Sequence, residues 1–83
     1  MPPVPPFQPA EGPGYLYVQL ADYMQEQIKA GDLRPGARLP AERDLAAEHG
    51  VALGTARKAV RVLRDRGLVV ITPSKGAFVV RPR

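Results

Sequence analysis

The sequence predicts a small α+β domain in which three helices precede a β-hairpin. Apolar residues recur at helical spacing in three stretches, and each stretch is followed by a glycine. Two runs rich in β-branched residues, 68–72 and 77–80, flank the four residues Pro73-Ser74-Lys75-Gly76. A chain of 83 residues can bury only one modest core, so we expect a single folded domain.

The first predicted helix starts at Tyr15 and ends at Gly31, with Leu16, Leu20, Met24 and Ile28 four residues apart. Six of the ten prolines precede it, so residues 1–14 are expected to form a disordered, Pro-rich arm. That arm contains no Lys or Arg, which disfavours a role in reaching a nucleic-acid groove. The folded domain is therefore predicted over residues 15–81.

A short extended piece is expected at residues 38–40, because a residue that precedes proline is pushed out of the helical region. The second helix is predicted over residues 41–49 and the third over about 53–66, with Gly50 and Gly67 as their ends. Two short helices joined by a tight turn around a glycine are typical of a helix-turn-helix. In the hairpin loop at 73–76, Gly76 is expected to supply a positive φ.

Charge is divided unevenly along the chain. Residues 1–48 hold four basic and seven acidic side chains, a net −3, whereas residues 49–83 hold eight basic and one acidic, a net +7. This difference predicts that the second half faces a polyanion.

The residue inventory disfavours several other classes of function. The chain has no cysteine and no apolar run long enough to cross a bilayer, and its first residues lack the features of an export signal. A cytoplasmic location is the default expectation. With one His, one Ser and two Thr, the chain is poorly equipped for nucleophilic catalysis, so neither an enzyme nor a cofactor or metal site is predicted.

The third helix concentrates positive charge. Its core spacing, at Ala56, Ala59, Val60 and Leu63, leaves most of its five basic residues pointing outward; these are Arg57, Lys58, Arg61, Arg64 and Arg66. A solvated surface helix is the plain alternative, but such faces normally intersperse acidic residues, and only Asp65 does so here. The helix-turn-helix context favours a helix that faces DNA.

In that geometry the start of the third helix enters the major groove of double-stranded DNA. Thr55 and Arg57 are the best placed to meet base edges, since a guanidinium can donate two parallel hydrogen bonds to guanine. Lys58 and Arg61, further along, are better suited to phosphates, which position a protein without reading sequence.

Two basic residues outside the third helix are further candidates. Arg43, in the first turn of the second helix, could bind a phosphate or an outer base, or be a solvated side chain paired loosely with Glu42. Lys75, beside Gly76 at the hairpin tip, could touch a flanking minor groove or its phosphates, or be a solvated loop lysine.

The sequence resembles the N-terminal winged helix-turn-helix domain of GntR-type bacterial transcriptional regulators. The resemblance covers residues 15–80 and rests on Arg34-Pro-Gly36, Leu39-Pro-Ala-Glu-Arg43, Gly50-Val51, Thr55-Ala-Arg57 and Gly76-Ala-Phe-Val79, which occur in order. It implies a winged helix-turn-helix fold. It also implies that Arg43, Thr55, Arg57 and the wing-tip Gly76 contact operator DNA.

The sequence departs from the family pattern at the start of the third helix. Ala52 and Leu53 stand where Ser or Thr followed by Arg is usual, so a helix cap worth about 1 kcal/mol is lost together with a DNA-contacting arginine. Leu53 can contact a thymine methyl instead. The chain also ends where family members generally continue into an effector-binding and dimerisation domain, so no small-molecule site is expected.

The leading functional hypothesis is a sequence-specific DNA-binding transcriptional regulator, acting as a repressor through helix 53–66 and the 73–76 wing. Weak homodimers on a palindromic site are expected, with Val62, expected to be exposed, the first helix or the Pro-rich arm as contacts. A winged-helix protein-interaction module that modulates another regulator is the alternative. Non-specific DNA compaction is a third possibility, and no membrane partner is predicted.

Overall fold

The computed structural model describes residues 15–80 as three helices followed by a two-stranded sheet. The helices are α1 (Leu16–Ala30), α2 (Glu42–His49) and α3 (Leu53–Asp65), and the strands are β1 (Val69–Thr72) and β2 (Gly76–Val79). The predicted α+β class and element order are thus confirmed. The predicted arm at residues 1–14 and the last domain residue, 81, lie outside the described residues.

The helix boundaries differ from the sequence prediction by one residue in three places. α1 begins at Leu16, and Tyr15 is its N-cap. α2 begins at Glu42 rather than Ala41, because Ala41, after Pro40, has the non-helical angles φ −55° and ψ 149°. α3 ends at Asp65, and Arg66 serves as its C-cap. None of the three N-cap residues, Tyr15, Ala41 and Ala52, caps its helix with a side-chain hydrogen bond.

One apolar core lies between the helices and the inner face of the hairpin. Leu20 and Met24 of α1 and Leu63 of α3 are completely or almost completely buried, as is Leu45 of α2. The remaining buried residues are small or β-branched side chains and one further leucine: Ala21, Leu39, Ala46, Ala56, Ala59, Val60, Val69 and Val79. Because α3 contributes to this core along its whole length, its opposite face is left to solvent.

The hairpin is antiparallel, with Val69 opposite Val79 and Thr72 opposite Gly76. This register places Gly76 in β2, so the loop contains three residues, 73–75, and not the four predicted. Gly76 has the expected positive φ, 113°, and Ser74 also has a positive φ, 64°, which the sequence did not indicate. A backbone bond from Lys75 N–H to the Thr72 carbonyl, 3.1 Å, closes the loop.

The predicted extended piece lies against the outer edge of β2. Leu39 N–H donates to the Ala77 carbonyl at 2.8 Å, and Val79 N–H donates to the Ala37 carbonyl at 2.9 Å. Only Arg38 forms a β-bridge, with Phe78, so this piece is a single bridge and not a full strand. Pro40 lacks an N–H group and cannot extend the pairing.

Candidate nucleic-acid interface

The turn between α2 and α3 sets the direction of α3. Gly50 adopts a left-handed conformation with φ 66° and ψ 34°, and its N–H points to the carbonyls of the last turn of α2. Val51 N–H donates to the Ala46 carbonyl at 3.0 Å, and the Val51 side chain packs against the core. A β-carbon at position 50 would strain this turn, so glycine fits the sharp change of direction that a helix-turn-helix needs.

The solvent face of α3 carries several of the residues predicted to bind DNA. Arg57, Lys58 and Arg61 are exposed and Thr55 is half-buried, while Ala56, Ala59, Val60 and Leu63 are buried. The predicted division between core and surface is therefore present. Leu53 is 40% exposed at the start of the helix.

Arg57 is held by an acidic residue of the neighbouring helix. Its Nε donates to Glu42 Oε2 at 2.7 Å, and both side chains remain about half exposed, at 48% and 43%. The bond uses Nε, and the Nη groups of this guanidinium form no hydrogen bond or ion pair within residues 15–80. One alternative given for Arg43 was a loose pair with Glu42. That alternative is wrong, because Glu42 pairs with Arg57.

Lys58 lies over an aromatic ring of α1. Its Nζ is 5.6 Å from the centroid of the Tyr17 ring, which in turn stacks on Tyr15 at 5.6 Å. A cation over a ring face at this distance is attracted by the ring's quadrupole. The sequence alone does not indicate this contact, which depends on how α1 and α3 cross.

Arg64 and Arg66 each form an ion pair with an acidic residue at the end of α3 or on α1. Arg64 pairs with its neighbour Asp65 at 3.1 Å. Arg66 binds α1 through Asp22 Oδ1 at 2.7 Å and Gln25 Oε1 at 2.9 Å. The five basic residues therefore divide into Arg57, Lys58 and Arg61 and two others, of which Arg64 pairs within α3 and Arg66 joins the end of α3 to α1.

Arg43 and Arg61 are exposed, and within residues 15–80 neither forms an ion pair. Arg43 projects from the first turn of α2, whose N-cap provides no side-chain bond. Both guanidinium groups are thus exposed, and their binding to phosphates stays a prediction.

Lys75 is exposed in the wing loop, and Gly76 directly follows it at the start of β2. The backbone of Gly76 lies against Arg38, which was not among the residues predicted to bind DNA. A Cβ placed on Gly76 would lie 2.9 Å from Arg38 Nε. The sequence offered only a weak sign, a basic residue in the extended piece before Pro40.

The exposure expected for one predicted dimer contact, Val62, is wrong, while the contact itself stays a prediction. Val62 was expected to be exposed, but it is half-buried and packs against the core. The larger exposed apolar side chains within the described part of the chain are Tyr15, Leu53, Val70, Ile71 and Val80.

A small cleft of ≈ 80 Å³ separates the wing from α2 and α3. It is far below the roughly 300–1,000 Å³ of typical small-molecule pockets. Within residues 15–80, no cluster of His, Asp or Glu is arranged to hold a metal ion. In the same part of the chain, no helix has the length and apolar character that crossing a membrane requires.

Comparison with known proteins agrees with this geometry. Residues 16–79 match the family model described as "Bacterial regulatory proteins, gntR family". The HTH-type transcriptional regulator SmoD of Agrobacterium fabrum is 38% identical over 64 residues, which are 77% of this chain and 27% of that protein. The histidine utilization repressor of Klebsiella aerogenes is 36% identical over 76 residues, 92% of this chain and 32% of that protein.

Solved structures show the same fold. The AraR(DBD) structure in complex with operator ORE1 superposes with a TM-score of 0.78 at 30% identity, covering 89% of this chain and 94% of that one. A GntR family transcriptional regulator from Listeria monocytogenes has a TM-score of 0.81 at 20% identity, which shows likeness of fold. The chain spans about a third or less of the length of the two curated relatives above.

The family model covers most of the chain, and the predicted winged helix-turn-helix is present in its structure. The chain belongs to the gntR family of bacterial regulatory proteins.

Proposed function

We propose that this chain binds specific sequences in double-stranded DNA and regulates transcription, acting as a repressor by occupying an operator. The observation that carries the proposal is the solvent face of α3, where Arg57, Lys58 and Arg61 follow a tight turn in helix-turn-helix geometry. The names of relatives, which include repressors, and the operator-bound AraR(DBD) structure support it.

The start of α3 reads base edges in the major groove. Arg57 presents its Nη groups to a guanine, because the bond from Nε to Glu42 fixes the orientation of the guanidinium. Thr55 offers a hydroxyl and a methyl group, and exposed Leu53 offers an apolar contact to a thymine methyl.

The surrounding cations bind the phosphates on either side of that groove. Lys58, placed over Tyr17, and Arg61 lie further along α3, and Arg43 lies at the start of α2. Lys75 and Gly76 bring the wing against flanking DNA. These contacts increase the affinity for DNA without sequence preference. They also position the protein on the duplex, and this sets the register in which Arg57 and Thr55 read bases.

Regulation follows from occupancy, without a chemical reaction. Two copies bind a palindromic site with half-sites about one helical turn apart. Exposed Tyr15 at the start of α1 and residues 1–14 are the proposed contacts between the copies, and the far end of α1 around Lys29 lies outside them.

Selection of binding sites from a random DNA library with the purified 83-residue chain tests the proposal. We expect an enriched sequence, which fluorescence anisotropy then shows to bind more tightly than a random duplex of equal length at moderate salt. A chain that binds the two duplexes equally is not a sequence-specific regulator, and strongly salt-dependent binding of that kind indicates DNA compaction.

Pull-down from cells separates DNA binding from the protein-interaction alternative. Nuclease treatment should release partners that are associated through DNA. Partners that remain after complete nuclease digestion, together with no selected DNA sequence, would contradict the proposed function and favour the interaction module.

A further inference from the structure

We propose that Arg38 is an additional DNA-contacting residue, a guanidinium seated on Gly76 that donates hydrogen bonds to a phosphate between the α3 groove and the wing. The inference rests on the proposed function and extends it. It also changes the role of Gly76, which leaves room for Arg38 and contributes to binding through that side chain.

The backbone around Arg38 is fixed by the wing. Three hydrogen bonds join residues 36–39 to β2: Gly36 N–H to the Val79 carbonyl at 2.8 Å, Leu39 N–H to the Ala77 carbonyl at 2.8 Å, and Val79 N–H to the Ala37 carbonyl at 2.9 Å. Arg38 itself bridges to Phe78. These bonds hold the backbone of Arg38 in place against β2.

The side chain of Arg38 runs along β2 toward the wing loop. A Cβ built on Gly76 would lie 2.9 Å from Nε, 3.5 Å from Nη2 and 3.6 Å from Cζ of Arg38. The Arg38 guanidinium thus occupies the space in which a residue other than glycine at position 76 would place its Cβ. Lys75, exposed in the wing loop, directly precedes Gly76 in the chain.

Arg38 also faces the helix-turn-helix. It lines the same small cleft as Glu42, Val60 of α3 and Gly76. The Glu42 carboxylate is occupied by Arg57. Within residues 15–80 Arg38 forms no ion pair, and its side chain is exposed.

These contacts place an unneutralised guanidinium between the two elements proposed to bind DNA. The planar fork of arginine matches the two free oxygens of a phosphate, and its firm seat reduces the rotamer entropy lost on binding. The chemistry that it recognises is the phosphodiester backbone, so its contribution is independent of base sequence.

Anisotropy titrations of the full chain with the selected duplex and a random duplex, over a range of salt concentrations, test this inference. Arg38→Ala is expected to weaken binding to both duplexes by about tenfold, and to lower the slope of log K against log salt by about 0.9. Arg38→Lys should keep most of the salt slope and recover only part of the affinity, because an ammonium lacks the planar fork.

Lys29→Ala is the matched control. It removes one positive charge from the exposed end of α1, twelve residues and about 18 Å of helix away from Tyr17. Circular dichroism and thermal melting establish that each variant is folded. If Arg38→Ala matches Lys29→Ala in affinity and salt slope, the inference is overturned.

A double-mutant cycle tests the role of Gly76. Gly76→Ala strains the positive φ of 113° in either background, but its Cβ displaces a guanidinium only where Arg38 is present. It should therefore weaken DNA binding more in the native background than in the Arg38→Ala background. Equal effects in the two backgrounds would show that Gly76 acts without Arg38. A native chain that shows no DNA binding refutes the proposed function itself, whereas native binding that Arg38→Ala leaves unchanged refutes this inference alone.

Discussion

Replacing Glu42 by glutamine removes the charge that holds Arg57, and the structure gives a basis for estimating the result. The pair joins Arg57 Nε to Glu42 Oε2 at 2.7 Å, but both side chains are nearly half exposed. Solvent screens such a pair, so its contribution to the free energy of unfolding is about 0.5–1 kcal/mol. Glu42 also lies in the first turn of α2, where a negative charge adds about 0.3–1 kcal/mol.

The two contributions predict a loss of about 1–2 kcal/mol from the free energy of unfolding in Glu42→Gln. For a domain of this size, each kcal/mol lowers the melting temperature by about 4–8 °C. Asp44→Asn is a matched control, because Asp44 is an exposed acid in the same turn without an ion pair among residues 15–80. The difference between the two variants therefore isolates the pair with Arg57.

DNA binding should respond in a way that a loss of stability cannot explain. A well-oriented arginine discriminates a guanine by about 1–3 kcal/mol, and releasing Arg57 forfeits part of this. We expect the affinity ratio of selected to random duplex to fall by about threefold to tenfold. Affinity for the random duplex should rise, because a negative charge beside the phosphates is gone.

Anisotropy titrations with both duplexes, on protein shown to be folded at the assay temperature, measure these effects. An unchanged affinity ratio in Glu42→Gln would refute the argument that Glu42 orients Arg57 for base recognition. So would an equal fall in Asp44→Asn, since that variant leaves the pair intact.

Three further predictions concern recognition, the helix cap and the core. Arg57→Ala should reduce discrimination between the selected and random duplexes by about tenfold or more in the same titrations. Lys58→Ala should weaken binding to both duplexes similarly and lower the slope of log K against log salt by about 0.9. Ala52→Ser should raise the free energy of unfolding, measured in urea, by about 1 kcal/mol. The N-cap of α3 has extended angles, φ −67° and ψ 152°, and no side-chain hydrogen bond, so a serine hydroxyl can cap the helix. An unchanged urea midpoint and an unchanged slope of the unfolding transition would contradict this. Leu63→Ala, at a position with 0% exposure, should cost about 2–5 kcal/mol in the same urea experiment, and a loss below 1 kcal/mol would show that the core collapses around the site.

The sequence by itself determined the order and type of the elements, because these depend on local features. The spacing of Leu20 and Met24 and of Ala56 and Leu63 reports which helix faces are buried. The family motifs identified the helix-turn-helix and the wing. The division of α3 into a buried and a basic face was also predictable, since a helix places residues on its faces by spacing alone.

Only the tertiary structure decided which charged groups meet. Arg57 and Glu42 are 15 residues apart in the chain, and Arg66 and Gln25 are 41 apart. Their pairing depends on where α1, α2 and α3 cross, and helical spacing within one element contains no information about that crossing. The same holds for Lys58 above Tyr17 and for Arg38 above Gly76.

The strand register shows the same limit at short range. Composition indicated a hairpin, but a loop of three or four residues depends on which backbone groups pair, and the Thr72 to Gly76 pairing settled it. Similarly, the expectation that Val62 is exposed failed because a residue at the boundary of a helix face is buried or exposed according to what packs beside it. Local periodicity therefore fixed which face of α3 is basic, and packing between elements decided that Arg57 pairs with Glu42 and that Lys58 lies over Tyr17.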